Sequence, residues 1–183
     1  MVQGICNICG NSAAEYGSDP AFPARRCPRC GEFDYDASVE WRKMKSSDEM
    51  VRLSGWVREQ NAAGVAPVRI APETSRRVTQ MRMPGLRERT SRALMKLARD
   101  RSDRVFNRDD AARDPELQGI SYSPDEQGVD LLIRILIEEG SLRFTGGSCA
   151  VTAKGLLAAE ALQTAGSNSA QGFVAMWFSE MPG

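Results

Sequence analysis

Cys6-Asn7-Ile8-Cys9-Gly10 and Cys27-Pro28-Arg29-Cys30-Gly31 are the two stretches that decide how this chain folds. Each is a C-x-x-C pair followed by glycine, and 17 residues separate Cys9 from Cys27. Two residues between ligands let both sulfurs converge on one ion, and a second pair at this distance completes a tetrahedral thiolate cage. The glycine after each second cysteine permits the positive φ that closes such a knuckle. Pro28 stiffens the second turn by fixing one backbone angle. Disulfides need an oxidising compartment, and the start MVQGICNICG has neither the basic segment nor the apolar stretch of a signal peptide. A redox-active pair needs one motif rather than two. The spacing therefore reads as one structural zinc ion on Cys6, Cys9, Cys27 and Cys30, with rubredoxin-like iron sharing the same ligand set. Four thiolates close the coordination shell, so the metal organises a domain and activates no water. A segment this short buries too little surface to fold alone, so metal binding is expected to be folding itself. Cys149 lies alone and reads as an ordinary semi-buried residue.

The chain has 183 residues, 42% of them hydrophobic and 7% aromatic, which suits a modest core shared among helices. Its 24 basic and 24 acidic side chains balance, so a general polyanion binder is not indicated. There is no histidine, which removes histidine bases, triads that use one, and mixed Cys/His metal sites. The sequence has no apolar run long enough for a membrane span, and the expectation is a soluble, cytoplasmic protein. The balance hides a local asymmetry. Residues 69–108 carry 12 basic and four acidic side chains, and residues 109–140 carry nine acidic and two basic ones. Either the two blocks face each other in the fold or each serves a partner.

Outward from the knuckles, Glu32-Phe33-Asp34-Tyr35 alternates as a short strand. Ser46-Ser47-Asp48-Glu49 reads as a capped helix start, followed by Met50, Leu53, Trp56 and Val57 at helical spacing and ended by Gly64. Val68-Arg69-Ile70 is extended, and a brief helix from about Glu73 to Met81 stops before Pro84. A helix from Leu86 to about Arg99 places Leu86, Ala93, Leu94 and Leu97 on one face. Asp109 to Ile120 reads as a short acidic helix, and Ser123-Pro124-Asp125-Glu126 as the opening of another that ends at Gly140 and buries Val129, Leu132, Ile133 and Leu136. Leu142-Arg143-Phe144 and Cys149-Ala150-Val151-Thr152 flank a Gly146-Gly147 turn as a β-hairpin, and a last helix covers Ala153 to about Gln163. This is the element order of a winged helix-turn-helix domain.

Residues 165–169 read as a polar linker, and Phe173-Val174-Ala175-Met176-Trp177-Phe178 as a strand buried on both faces. Such a strand needs parallel neighbours, so the chain is expected to break off at the entry to a further domain. The expected fold is α+β and mainly helical: a zinc ribbon over 1–40, a helical connector over 41–84, a winged helix-turn-helix-like domain over 85–165, and a linker with one orphan C-terminal strand over 166–183.

The paired CxxCG knuckles, the stretch Leu53-Ser54-Gly55-Trp56-Val57-Arg58-Glu59-Gln60-Asn61, the segment Val151-Thr152-Ala153-Lys154-Gly155 and the run from Gly172 to Phe178 together resemble an uncharacterised bacterial architecture. In it a zinc ribbon and winged-helix region precede a Rossmann-like domain similar to nucleoside 2-deoxyribosyltransferases and the distantly related TIR domains. The resemblance implies a role in bacterial conflict or phage defence, with the C-terminal domain as a nucleotide-processing effector. Residues 173–178 would be its first strand and 179–182 the start of its substrate loop, so no catalytic residue carries over onto this chain.

Three functions compete. A non-catalytic zinc-binding module could sense a protein partner, self-associate, or assemble the effector. Alternatively, a zinc-ribbon and winged-helix protein could bind DNA or RNA. In that case the helix after Ser123 would enter the major groove carrying Asp125, Glu126, Asp130, Glu138 and Glu139 against Arg134 alone, which phosphates would repel. Backbone contact is left to the basic face of Arg76, Arg77, Arg87, Arg92, Lys96 and Arg99, with Arg82 and Arg89 beside it and Arg25, Arg26 and Arg29 near the knuckles. It would be weak, sequence-blind and salt-sensitive. An enzyme is the third reading, and the chain has no glycine-rich phosphate loop or nucleophile motif to support it.

Overall fold

The structure is a computed structural model that describes residues 2–17, 19–39, 41 and 47–178. Strands β1 (Val2–Ile5), β2 (Ser12–Tyr16), β3 (Ala24–Cys27) and β4 (Gly31–Tyr35) form an antiparallel meander, with Arg26 opposite both Ala14 and Glu32. Helix α1 (Ser47–Ala62) then crosses over to β5 (Val68–Ile70), which lies parallel to β4 with Phe33 opposite Val68 and Tyr35 opposite Ile70. Crossover by a helix is how parallel neighbours are joined. β4 buries Gly31, Phe33 and Tyr35 by strict alternation, and α1 covers that face with Val51, Leu53 and Val57. Helix α2 (Pro72–Gln80) adds Val78. Phe33, Leu53, Val57 and Ile70 are fully buried together with Ile8 and Cys30. The residues read from sequence as a connector thus share one core with the zinc ribbon, and β5 extends its sheet. The helix cap expected at Ser46 lies outside the described residues.

The second half follows the expected order. Helix α3 (Leu86–Arg101), strand β6 (Phe106–Asn107), helices α4 (Arg108–Arg113), α5 (Pro115–Ile120) and α6 (Glu126–Glu138), strands β7 (Leu142–Thr145) and β8 (Ser148–Val151), and helix α7 (Ala153–Phe178) succeed one another. The small sheet has the order β6-β8-β7, with Phe106 and Phe144 both paired to Cys149 from opposite sides. This is a winged helix-turn-helix-like arrangement. Its core joins Ala93, Leu94 and Leu97 of α3 to Val129, Leu132, Ile133 and Leu136 of α6, with Leu117, Leu142 and Cys149.

Four expectations need correction. Leu86 is half exposed, because it begins α3 at the end of the buried stripe. The acidic segment is two helices rather than one. Proline disfavours a helical residue before it, so α4 ends at Arg113, and Asp114 caps α5 by accepting from the amides of Glu116 and Leu117. Helix α6 starts at Glu126, capped by Asp125 on the amide of Gly128 rather than by Ser123. Finally, α7 runs to Phe178, so residues 173–178 are helical and not an orphan strand. A lone strand leaves its backbone groups without a ladder, whereas a helix pairs them internally. The loop read at 179–182 lies outside the described residues. Among those residues no helix is long and apolar enough to cross a membrane.

Candidate metal centre

The first knuckle forms where β1 gives way to β2. The Cys6 amide donates to Asn11 O at 2.8 Å, the Gly10 amide donates to Cys6 O at 2.9 Å, and Gly10 adopts φ 76°. The second forms between β3 and β4, with Gly31 at φ 92°. A side chain on Gly31 would also strike Asn61, whose Oδ1 lies 2.0 Å from the position a Cβ would take. Both glycines are there because the backbone must turn left-handed immediately after a ligand.

These turns bring the four sulfurs together. Cys6 Sγ is 3.7 Å from Cys30 Sγ, Cys9 Sγ is 3.5 Å from Cys27 Sγ, and all four lie within 4.8 Å of one another. A regular tetrahedron of sulfurs at the usual zinc–sulfur length has edges of about 3.8 Å, so the cluster fits a tetrathiolate metal site. Cys6, Cys27 and Cys30 are buried and Cys9 half-buried. Burial pushes the Cys30 thiol well above its ordinary value, so a thiolate there calls for a cation at its side. Cys149 takes no part, being buried in the other core, where burial raises its thiol as well.

One face of α1 supports the second knuckle. Ser54, Arg58 and Asn61 follow at spacings of four and three, which places them above one another on a helix. Ser54 Oγ lies 3.2 Å from Cys30 Sγ. Arg58 donates from Nε to Arg29 O at 3.0 Å and from Nη2 to the carbonyls of Cys27 and Pro28. Asn61 accepts from the Glu32 amide at 2.5 Å and donates back to Glu32 O at 3.0 Å. Such partners orient ligands and tune a metal site. The resemblance-bearing stretch 53–61 contains all three. A polar stripe at helical spacing inside it is the signal that could have revealed their role.

Arg29, inside the second C-x-x-C, points away from the sulfurs into the winged-helix half. It donates from Nη2 to Ser123 O at 2.6 Å and from Nη1 to Pro124 O at 2.8 Å, and only 8% of it is exposed. Helix α5 passes so close that a Cβ on Gly119 would lie 2.2 Å from Arg29 O.

The expected basic face divides. Arg76, Arg77 and Arg87 are exposed. Arg92 turns inward to Glu59 at 2.9 Å and Glu88 at 3.2 Å. Lys96, buried, meets Asp100 and, at 3.0 Å, Glu116; Arg99 meets Asp100 at 2.8 Å. Further along, Arg101 pairs with Asp114 and Arg108 with Asp130. Lys96, Arg99, Arg101 and Arg108, toward the C-terminal end of the basic block, thus pair with the acidic block within the fold. Arg25 and Arg26 pair with Glu15 and Glu32, Arg26 remaining exposed, and Arg29 is buried. On α6, Arg134 is bound by Asp130 at 2.8 Å.

No family model, curated protein or solved structure compared with this chain matches it.

Proposed function

We propose that this chain is a non-catalytic zinc-binding regulatory or scaffolding module, in which the metal organises both halves. The observation that carries the reading is Arg29. Lying between the ligands Cys27 and Cys30, it caps the carbonyls of Ser123 and Pro124 just before α6. Binding zinc sets the backbone of Cys27 to Cys30, and that backbone in turn sets the entry of the winged-helix half's central helix. Zinc fits better than a calcium-like ion because the ligands are four soft thiolates, and a closed shell suits structure rather than hydrolysis. The resemblance at 172–178 supports a further reading, in which the module carries a nucleotide-processing effector; the helical backbone of α7 there supports a connecting helix instead of that effector's first strand.

Hydrogen exchange tests this. Zinc added to metal-free protein is expected to protect amides of α6 and α3 together with those of β1–β4. Protection confined to the knuckles would contradict a scaffolding role.

A second reading, nucleic-acid binding, draws on the exposed Arg76, Arg77 and Arg87. With α6 acidic and Arg134 engaged, it amounts to salt-sensitive backbone contact without base selection. Tight binding that survives raised salt in a gel-shift titration would overturn that description.

A further inference from the structure

Helix α3 carries its apolar stripe past the core of the winged-helix half. Ala93 and Leu94 are buried, whereas Leu86, two turns earlier on the same side of the helix, is half exposed. At that end α3, α6 and α7 border an open groove of about 730 Å³. Leu86 and Leu94 of α3, Ile135 and Leu136 of α6, and Ala158 and Leu162 of α7 supply its apolar wall. Leu157, one turn before Ala161 of the same wall, adds a side chain that is 67% exposed. Two large apolar side chains left in water beside one groove differ from the scattered leucines of an ordinary surface.

The groove also carries one charge of each sign, on different helices. Arg87 follows Leu86 on α3, and Glu139 stands at the end of α6. Both are exposed, and neither side chain has an ion-pair or hydrogen-bond partner among the described residues. A face with a cation on one edge, an anion on another and an apolar wall between them is complementary to its own twofold image. Isologous interfaces require that property, since whatever one copy offers must be met by the same surface on the other. A phosphate backbone or a purely acidic protein would satisfy Arg87 and be repelled by Glu139.

We propose that two copies of this chain pair through this groove about a twofold axis. Leu86 of each copy lies against the apolar wall of the other, and Arg87 of each lies beside Glu139 of the other. The leucines leave water, and the two rim pairs fix the register. The face holds no cysteine ligand and none of the Arg29 contacts, so it stands or falls separately from the metal's scaffolding role.

Sedimentation velocity of the zinc-loaded full chain over a wide range of concentration reads the pairing. A concentration-dependent shift from monomer to dimer is expected. Leu86→Glu, at an exposed position, should raise the dissociation constant about ten-fold or more, because a carboxylate would enter an apolar contact. Arg87→Glu and Glu139→Arg should each weaken pairing as well, since like charges then meet at both rims. An equimolar mixture of those two variants should pair like the parent, each offering the charge that the other lacks. Circular-dichroism melts check that the variants fold; if Leu86→Glu does not, the two charge variants and their mixture decide the matter. A chain that stays monomeric at every concentration would leave the groove to a different occupant and overturn the proposal. So would a dimer unmoved by the folded variants, or a mixture that pairs no better than its components.

Discussion

Arg29 donates to the carbonyl oxygen of Ser123 at 2.6 Å, across 94 residues of sequence. The donor lies between two metal ligands, and the acceptor lies two residues before the Asp125 cap of α6. Metal geometry and helix placement therefore share one charged hydrogen bond. It also explains why Ser123 does not cap α6 as its sequence context suggests: its hydroxyl pairs with Ser121 Oγ at 2.8 Å and its carbonyl faces Arg29.

Arg29→Ala should leave two buried carbonyls without their charged donor and cost about 2–4 kcal/mol of stability, with the metal content unchanged. Urea melts paired with metal analysis check this. Loss of metal with unaltered stability would contradict it. Arg29→Lys should recover only part, since an ammonium lacks the fork that reaches both carbonyls.

Alanine normally stabilises a helix by roughly 0.5–1 kcal/mol over glycine. At Gly119 and Gly55 the sign should reverse. The new methyl would meet the Arg29 carbonyl in one case and the Tyr122 ring in the other. Overpacking of this kind typically costs about 1–3 kcal/mol. Thermal melts of Gly119→Ala and Gly55→Ala should both fall, and a rise in either would show that the seam is looser than described.

Ser54→Ala removes the hydroxyl beside Cys30 Sγ and leaves the four sulfurs in place. Metal affinity should drop by about ten-fold, as with other partners of ligands. Competition against a chromophoric chelator measures it. The metal-saturated variant should melt close to the parent, and unchanged affinity would deny Ser54 a role.

Burial alone would raise the Asp100 carboxyl, but hydrogen bonds from Arg99 and Lys96 hold it below its ordinary 3.8. A carboxyl depressed in the folded state contributes stability above its unfolded value and loses it as pH falls through the lower folded one. Asp100→Asn should therefore melt below the parent at neutral pH, and the gap should close as pH drops below 3.8. A gap that stays constant through that window would remove Asp100 from the acid response.

The cysteine cluster was legible because ligand spacing is a local property: x-x between sulfurs and glycine after them fix a knuckle whatever surrounds it. The stripe Val129, Leu132, Ile133 and Leu136 was legible for the same kind of reason, through helical period. Strand β6 was not, since two residues carry no periodicity and Phe106 is a strand only because Cys149 lies opposite. The pairing of Lys96 with Glu116 was visible only as two charged blocks; which residues meet depends on the break between α4 and α5 before Pro115. Phe173 to Phe178 misled because six apolar residues in a row suit a buried strand and a helix equally, and only a neighbouring strand could have decided for the former.

The most direct test of the central claim is metal analysis of the purified chain by plasma mass spectrometry, joined to a circular-dichroism melt before and after chelation. One zinc per chain, and a loss of cooperative melting in both halves when it is removed, is the predicted result. A metal-free chain that melts as cooperatively as the loaded one would contradict the account.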